Sequence, residues 1–308
     1  MRRFVLHIIT LTILISCEPE ELPLDIEGVI NSGQVDIGVD YCYQKYYHID
    51  ENIVVGENLI TDWDLAFHNT ENAIRLNSAK RMRATYEDDP FIHGNNFSNF
   101  HSDLGLLSSD GYDHPNGSTD SLAFNNGQQT LFKGYFVLDN GYDCSGLQLG
   151  YSLINIIDYN DYKYLIQVLN NNSGVFQEVE IFKTNNGDYT YFSLNNHEII
   201  SIANFDWDLC FTQYTEFNVP SPGNTSITSP YLLRGVLQNS HVSVAIDTVN
   251  SFSAITMNLV PDYIFSFDRN AIGWDWKYYE EGEYFVDSPV YLIRTSATDY
   301  YKLLFLDF

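Results

Sequence analysis

The feature that most constrains this chain is an imperfect internal repeat. Asp62-Trp63-Asp64-Leu65-Ala66-Phe67 is echoed by Asp206-Trp207-Asp208-Leu209-Cys210-Phe211, and a third related stretch is Ile272-Gly273-Trp274-Asp275-Trp276-Lys277. Each alternates apolar and polar residues, so each reads as a strand with one buried face. Trp63, Leu65 and Phe67 are expected to point one way, and Trp207, Leu209 and Phe211 likewise. The first two copies also share what precedes them. Tyr46-Tyr47-His48-Ile49 leads through Asn52 to Val55 into the first, and Tyr191-Phe192-Ser193-Leu194 leads through Glu198 to Ile202 into the second. Two copies are too few for a solenoid. A pair of related all-β halves is the expectation.

The rest of the chain supports that class. With 23 Tyr, 20 Phe and turn-forming Asn and Gly between short apolar runs, strands are favoured over helices. No stretch carries a long amphipathic helical period. Strands are read across most of residues 36–79, 131–169, 175–194 and 231–308, among them Ala254 to Leu259 and Tyr263 to Phe267. Asn185-Asn186-Gly187-Asp188 reads as a hairpin turn. Residues 87–129, rich in Asn, Asp, Gly, Ser and His, read as a long solvated loop. The expected division is a leader at 1–17, a tether at 18–35, an N-terminal β-rich half at 36–145 and a second β domain at 146–308.

Arg2 and Arg3, the apolar run Phe4 to Ile15 and then Ser16-Cys17 have the order of a secretory leader. They resemble a bacterial lipobox, which implies that Cys17 is lipidated and becomes the mature N-terminus. No later apolar run is long enough to span a bilayer, so the chain reads as anchored and not spanning. A formal charge of −26 argues against nucleic acid as a partner, because such binding depends on Lys and Arg at phosphates. Glu18, Glu20 and Glu21 behind Cys17 resemble the surface-export signal of Bacteroidetes lipoproteins. Beyond Cys17 there remain Cys42, Cys144 and Cys210, enough for one intramolecular disulfide. Cys210 falls where the first repeat has Ala66, so it reads as a small packed residue.

Over residues 189–308 an ordered set of motifs resembles the HmuY-type haem-binding lipoproteins of Bacteroidetes. The set is Tyr191-Phe192-Ser193-Leu194, Asp206 to Phe211, Tyr231-Leu232-Leu233-Arg234-Gly235-Val236-Leu237, Ile272 to Lys277, Val290 to Arg294, and Tyr300 to Phe308. Residues 36–80 look like the extension found in longer members. The resemblance implies an antiparallel all-β domain that grips haem between two axial side chains at one end and passes it to an outer-membrane TonB-dependent receptor. In members with a His pair, one ligand lies between the Trp-Asp-Leu strand and the Gly-Trp strand, and the other just after Gly-Trp. His241 and Met257 occupy the first segment. Lys277, Tyr278 and Tyr279 stand where the second histidine is expected, and no histidine follows His241. The haem-ligand candidates are therefore His241, Tyr279 and Met257, tyrosine being a known haem ligand.

Other histidines carry weaker expectations. His68 and His197 read as solvated. His93, His101 and His114 lie among Asp103, Asp110 and Asp113 in the long loop, a mixed set that suits a divalent metal but matches no named spacing. Sequence signatures of hydrolases, zincins and phosphate-binding loops are absent, so no enzyme activity is expected. Two readings of function lead, ahead of a metal-dependent enzyme built on the 87–129 loop. One is a surface-anchored haem-binding lipoprotein of iron acquisition. The other is a lipoprotein of the same fold that binds a glycan, a peptide or a partner protein.

Overall fold

The computed structural model describes residues 32–88, 111–125, 131–170, 175–202, 205–221, 224–287 and 289–308. The leader, Cys17 and most of the tether lie outside them, as do His93, His101, Asp103 and Asp110. The described strands, in chain order, are β1 (Tyr43–His48), β2 (Ile53–Leu59), β3 (Leu65–His68), β4 (Ile74–Leu76), β5 (Arg83–Glu87), β6 (Gly134–Asp139), β7 (Tyr151–Tyr159), β8 (Lys163–Asn170) and β9 (Gln177–Phe182). They continue as β10 (Tyr189–Ser193), β11 (Glu198–Ile200), β12 (Leu209–Ser221), β13 (Asn224–Gln238), β14 (Ser243–Asp247), β15 (Lys277–Glu280), β16 (Glu283–Val286), β17 (Val290–Arg294) and β18 (Tyr300–Leu303). The fold is all-β, and the strands pair antiparallel.

The repeat organises two four-stranded sheets of matching order. One runs β2-β1-β12-β13 and the other β11-β10-β3-β4. Each Trp-Asp-Leu strand thus pairs with the strand that precedes the other copy: β12 with β1, and β3 with β10. The two halves are interleaved, and residues 33–308 form one compact unit. The division expected at 145/146 is therefore not a boundary. Long-range strand pairing, which local pattern does not specify, overrides it.

One aspartate in each copy closes this exchange. The Asp64 N–H donates to the Phe192 carbonyl (2.9 Å), and Asp64 Oδ2 accepts the Leu194 N–H (2.6 Å). The Asp208 N–H donates to the Tyr47 carbonyl (2.9 Å), and Asp208 Oδ2 accepts the Ile49 N–H (2.8 Å). An asparagine backs each. The Asn77 side-chain amide donates to the Trp63 carbonyl and its N–H to the Asp64 carbonyl (both 2.9 Å). Asn239 does the same for Trp207 and Asp208 (both 2.8 Å). Each such bond satisfies a buried backbone group that would otherwise cost about 1–3 kcal/mol.

The expected facing of the repeat needs correction. Leu65 and Phe67 enter the main core with Phe124, Phe136, Tyr164 and Ile166. Trp63 packs instead with Ala66, and the second copy brings Trp207 and Cys210 to the same cluster. Both tryptophans lie ahead of their strands, so the period-two alternation starts only at Leu65 and Leu209. Both faces of β3 are buried, and His68 is half-buried against the Tyr189 ring, not solvated (centroids 4.9 Å). His197 is also half-buried, in a turn at φ +55°.

Other expectations also give way to packing. β9 belongs to the five-stranded sheet β5-β6-β7-β8-β9, whereas β10 belongs to the repeat sheet, so residues 185–188 join two sheets and form no hairpin. Asn69 holds that turn through the carbonyls of Gly187 and Asp188. Residues 254–259 do not form a strand; Met257–Asp262 is a 3₁₀ helix. In residues 263–267 only Ser266 pairs, bridging to Val244. Within the expected loop, residues 111–125 are docked on the core: Phe124 is fully buried, and Asp113 accepts the N–H groups of Leu76 and Ala123. Cys42 and Cys144 form a disulfide across 102 residues of chain, and Cys210 is free and buried.

Lys80, 2% exposed, is ion-paired to Asp64 Oδ1. Removing one member of a buried pair strands the other charge, at about 3–5 kcal/mol. Asp64→Ala is therefore expected to lower the free energy of urea unfolding by about that amount. An unchanged midpoint would show that the clasp does not hold the sheets.

Candidate functional site

The repeat explains where the first haem-ligand candidate sits. Asn239 turns the chain from β13 towards β14, and His241 follows it. His241 Nε2 lies 3.2 Å from Asp208 Oδ1. Lys80 takes the corresponding oxygen of Asp64, three residues beyond Asn77. His241 thus has a structural counterpart in the first copy, and the counterpart is a lysine. Asp208 raises the pKa of His241 above the usual histidine value through this hydrogen bond. Burial acts to lift the Asp208 carboxyl, but the bonds from His241 and the Ile49 N–H outweigh it and hold the pKa below normal.

Tyr279 and Met257 lie elsewhere. Tyr279 is in β15, 64% exposed, with its ring against Tyr284 (5.0 Å between centroids). Met257 opens the 3₁₀ helix and is 59% exposed. No hydrogen bond, ion pair or ring contact joins any two of His241, Tyr279 and Met257. The metal-ligand expectation for the long loop can be followed only at Asp113 and His114. Asp113 is buried beneath backbone donors, with burial lifting its pKa to about 6. The exposed His114 uses Nδ1 to accept the Asn116 N–H. Among the described residues no cluster of His, Cys, Asp or Glu is arranged to hold a metal ion.

A crevice lies where the copies meet, lined by Arg75, Asp113 and His114 from the first half and by Tyr214, Leu237 and Arg269 from the second. Its free volume of about 20 Å³ suits about one water molecule.

Exposed aromatic chemistry is grouped on the hairpin β15–β16. Lys277 pairs with Val286, Tyr278 with Phe285, Tyr279 with Tyr284, and Glu280 with Glu283. The two-residue turn, Glu281 at φ +51° and Gly282 at φ +96°, has the positive φ angles of a type I′ connection. Tyr278 stacks on Phe285 on one face (5.5 Å, 23° between planes), and Tyr279 meets Tyr284 on the other. All four rings are between 42% and 64% exposed. Among the described strands the hairpin pairs only with itself. Of these residues only Tyr279 is singled out by sequence. The Glu-Gly pair between Lys277 to Glu280 and Glu283 to Val286 was the signal for the rest, since x-Gly between alternating aromatics marks a two-residue hairpin.

The hairpin grows from the third Trp stretch, which is bent and not a plain strand. Gly273, at φ +63°, exchanges backbone hydrogen bonds with Val236 of β13 (2.9 and 3.1 Å). A Cβ on Gly235 would lie 2.3 Å from the Gly273 carbonyl oxygen, so the approach requires glycine there. Trp276 then stacks on Phe305 (4.0 Å, 13°) and fixes the root of β15.

No protein-family model, curated protein or solved structure matches the chain.

A histidine whose folded pKa is raised contributes stability that is full below about pH 6.5 and is lost as pH rises through the folded value. His241→Gln is therefore expected to destabilise the protein at pH 5.5 and to leave it unchanged at pH 8.5, read by urea midpoints. His241 is 41% exposed, so screening keeps the effect to about 0.5 kcal/mol. An equal loss at both pH values would refute the charged pair.

Proposed function

We propose that the protein is a non-catalytic lipoprotein, anchored through Cys17 at the outer membrane and facing outwards, that captures an extracellular glycan on the β15–β16 hairpin. The carrying observation is four aromatic rings held in two cross-strand pairs and left open to solvent on a self-paired hairpin. Rings with a fixed orientation offer flat apolar faces at little conformational cost, which suits sugar rings. The high negative charge favours a soluble surface over contact with nucleic acid or anionic membrane.

Haem acquisition, with transfer to a TonB-dependent receptor, is supported by the ordered motifs of the last 120 or so residues. It gains less from the geometry. His241 is engaged by Asp208, and the other two candidates are exposed and apart from it.

A glycan array probed with the mature chain and with Tyr279→Ala/Phe285→Ala separates these readings. The parent is expected to bind, the variant to bind at least about tenfold more weakly, as loss of two aromatic contacts implies, and both to unfold at the same urea concentration. Equal binding by the variant, or no binding by the parent, would overturn the glycan reading. A Soret shift on haemin titration that disappears in His241→Ala would put haem in its place.

A further inference from the structure

At the root of the hairpin two cations lie side by side, and among the described residues neither has a carboxylate within ion-pair distance. Lys277 is 6% exposed, and its ammonium donates one hydrogen bond, to the Arg234 carbonyl (2.6 Å). An ammonium carries three donors. The Arg234 guanidinium lies over the Tyr41 ring and donates a hydrogen bond to the Tyr284 phenol, and the Tyr41 and Tyr231 phenols also act on it. Neither cation forms an ion pair with a described residue. This stands out in a chain with 41 acidic and 15 basic residues, where a carboxylate is the commonest charged neighbour to place.

A third donor is also unmatched. Lys277 Nζ lies 4.1 Å from the centre of the Trp276 ring, and the buried Trp276 indole N–H has no acceptor. Around these donors stand rings. Phe308 lies 4.3 Å from Lys277 Nζ, and Tyr284 packs on Phe308 (4.8 Å). Tyr231, Tyr284 and Phe308 are 53%, 46% and 40% exposed, so open aromatic rings border the two cations. A buried donor with no acceptor, beside two cations that pair with no carboxylate among the described residues, has an oxygen anion as its complement. The rim adds a flat partly apolar body. A charge of −26 repels polyanions at long range, which selects a group with a single negative charge.

We propose that Arg234 and Lys277 form a carboxylate subsite that gives the aromatic hairpin its specificity, so that the glycan carries an acidic sugar of the uronate type. The subsite rests on the hairpin being the binding surface and names the sugar it takes. Arg234 supplies planar paired donors suited to a carboxylate, and Lys277 supplies the point charge beneath. The site also couples to protons. Burial first, then repulsion from Arg234, lowers the Lys277 pKa to about 7, and Asp275 opposes this. The other groups that act on Arg234 here are the Tyr41, Tyr284 and Tyr231 phenols. An incoming carboxylate favours protonated Lys277, so binding takes up a proton and is tighter at pH 6 than at pH 8.5.

The experiment is isothermal titration calorimetry of the mature chain with glucuronate, glucose and acetate at pH 6 and 8.5. Glucuronate is expected to bind at least tenfold more tightly than glucose or acetate, and at least threefold more tightly at pH 6. Arg234→Gln should abolish the preference over glucose while unfolding at the parental urea midpoint. Lys277→Met, which keeps the packing against Trp276, should retain reduced glucuronate binding but lose its pH dependence. Equal affinity for glucuronate and glucose would overturn the charge subsite. Equal affinity for acetate would overturn the sugar. Unaltered selectivity in Arg234→Gln would overturn the assigned residues. Array binding that depends on Tyr279 and Phe285 but ignores acidic sugars would sink the subsite and leave the hairpin reading standing. Absence of any hairpin-dependent binding would remove the hairpin reading itself.

Discussion

Two carboxylates hold this fold together. Asp64 and Asp208 each accept a backbone N–H from the strand that precedes the other copy of the repeat, and each returns an N–H to that strand's carbonyl. The reciprocal bonds make the two halves inseparable, since each Trp-Asp-Leu strand completes its ladder only with residues on average more than a hundred positions away. The second oxygen of each carboxylate is neutralised by a cation or a hydrogen-bond donor, Lys80 in one copy and His241 in the other. The first pair is buried. The second is part-exposed and titratable. Duplication therefore kept the geometry while the partner's chemistry diverged.

That symmetry changes what His241 means. As an isolated residue after a Trp-Asp-Leu motif it is a natural metal-ligand candidate. Beside Lys80, it is the second of two clasps around an aspartate. The proposed binding surface lies on an element with no counterpart in the first half, the hairpin that follows the bent Gly273-Trp274 stretch. Its root is fixed by Trp276 on Phe305 and by the close backbone approach of Gly235 and Gly273. A rigid root is what lets four rings stand in solvent in defined pairs, where their side chains would otherwise collapse onto apolar surface.

The all-β class, most strand positions, the repeat and the single available disulfide were legible in the residue pattern. Alternation failed where strands were buried on both faces. At β3, Ala66 and Phe67 are both inside, and the tryptophan ahead of the strand follows the turn and not the ladder. The Asn185–Asp188 turn has the composition of a hairpin but joins different sheets, because turn chemistry constrains the backbone locally and not which partner a strand chooses. Asp113, within a stretch that looks solvated, is buried because it supplies the acceptor for an edge N–H of β4.

By itself the sequence determined the strand-forming periodicity, the acidity and the internal repeat, all properties of neighbouring residues or of totals. Tertiary structure alone decided that the halves interleave, that His241 faces Asp208, and that Arg234 meets Lys277 with neither ion-paired to a described residue. Those are contacts between residues distant in the chain. Their partners are set by burial and by the need to satisfy backbone groups in a shared core, and no local window of sequence contains both sides of that choice.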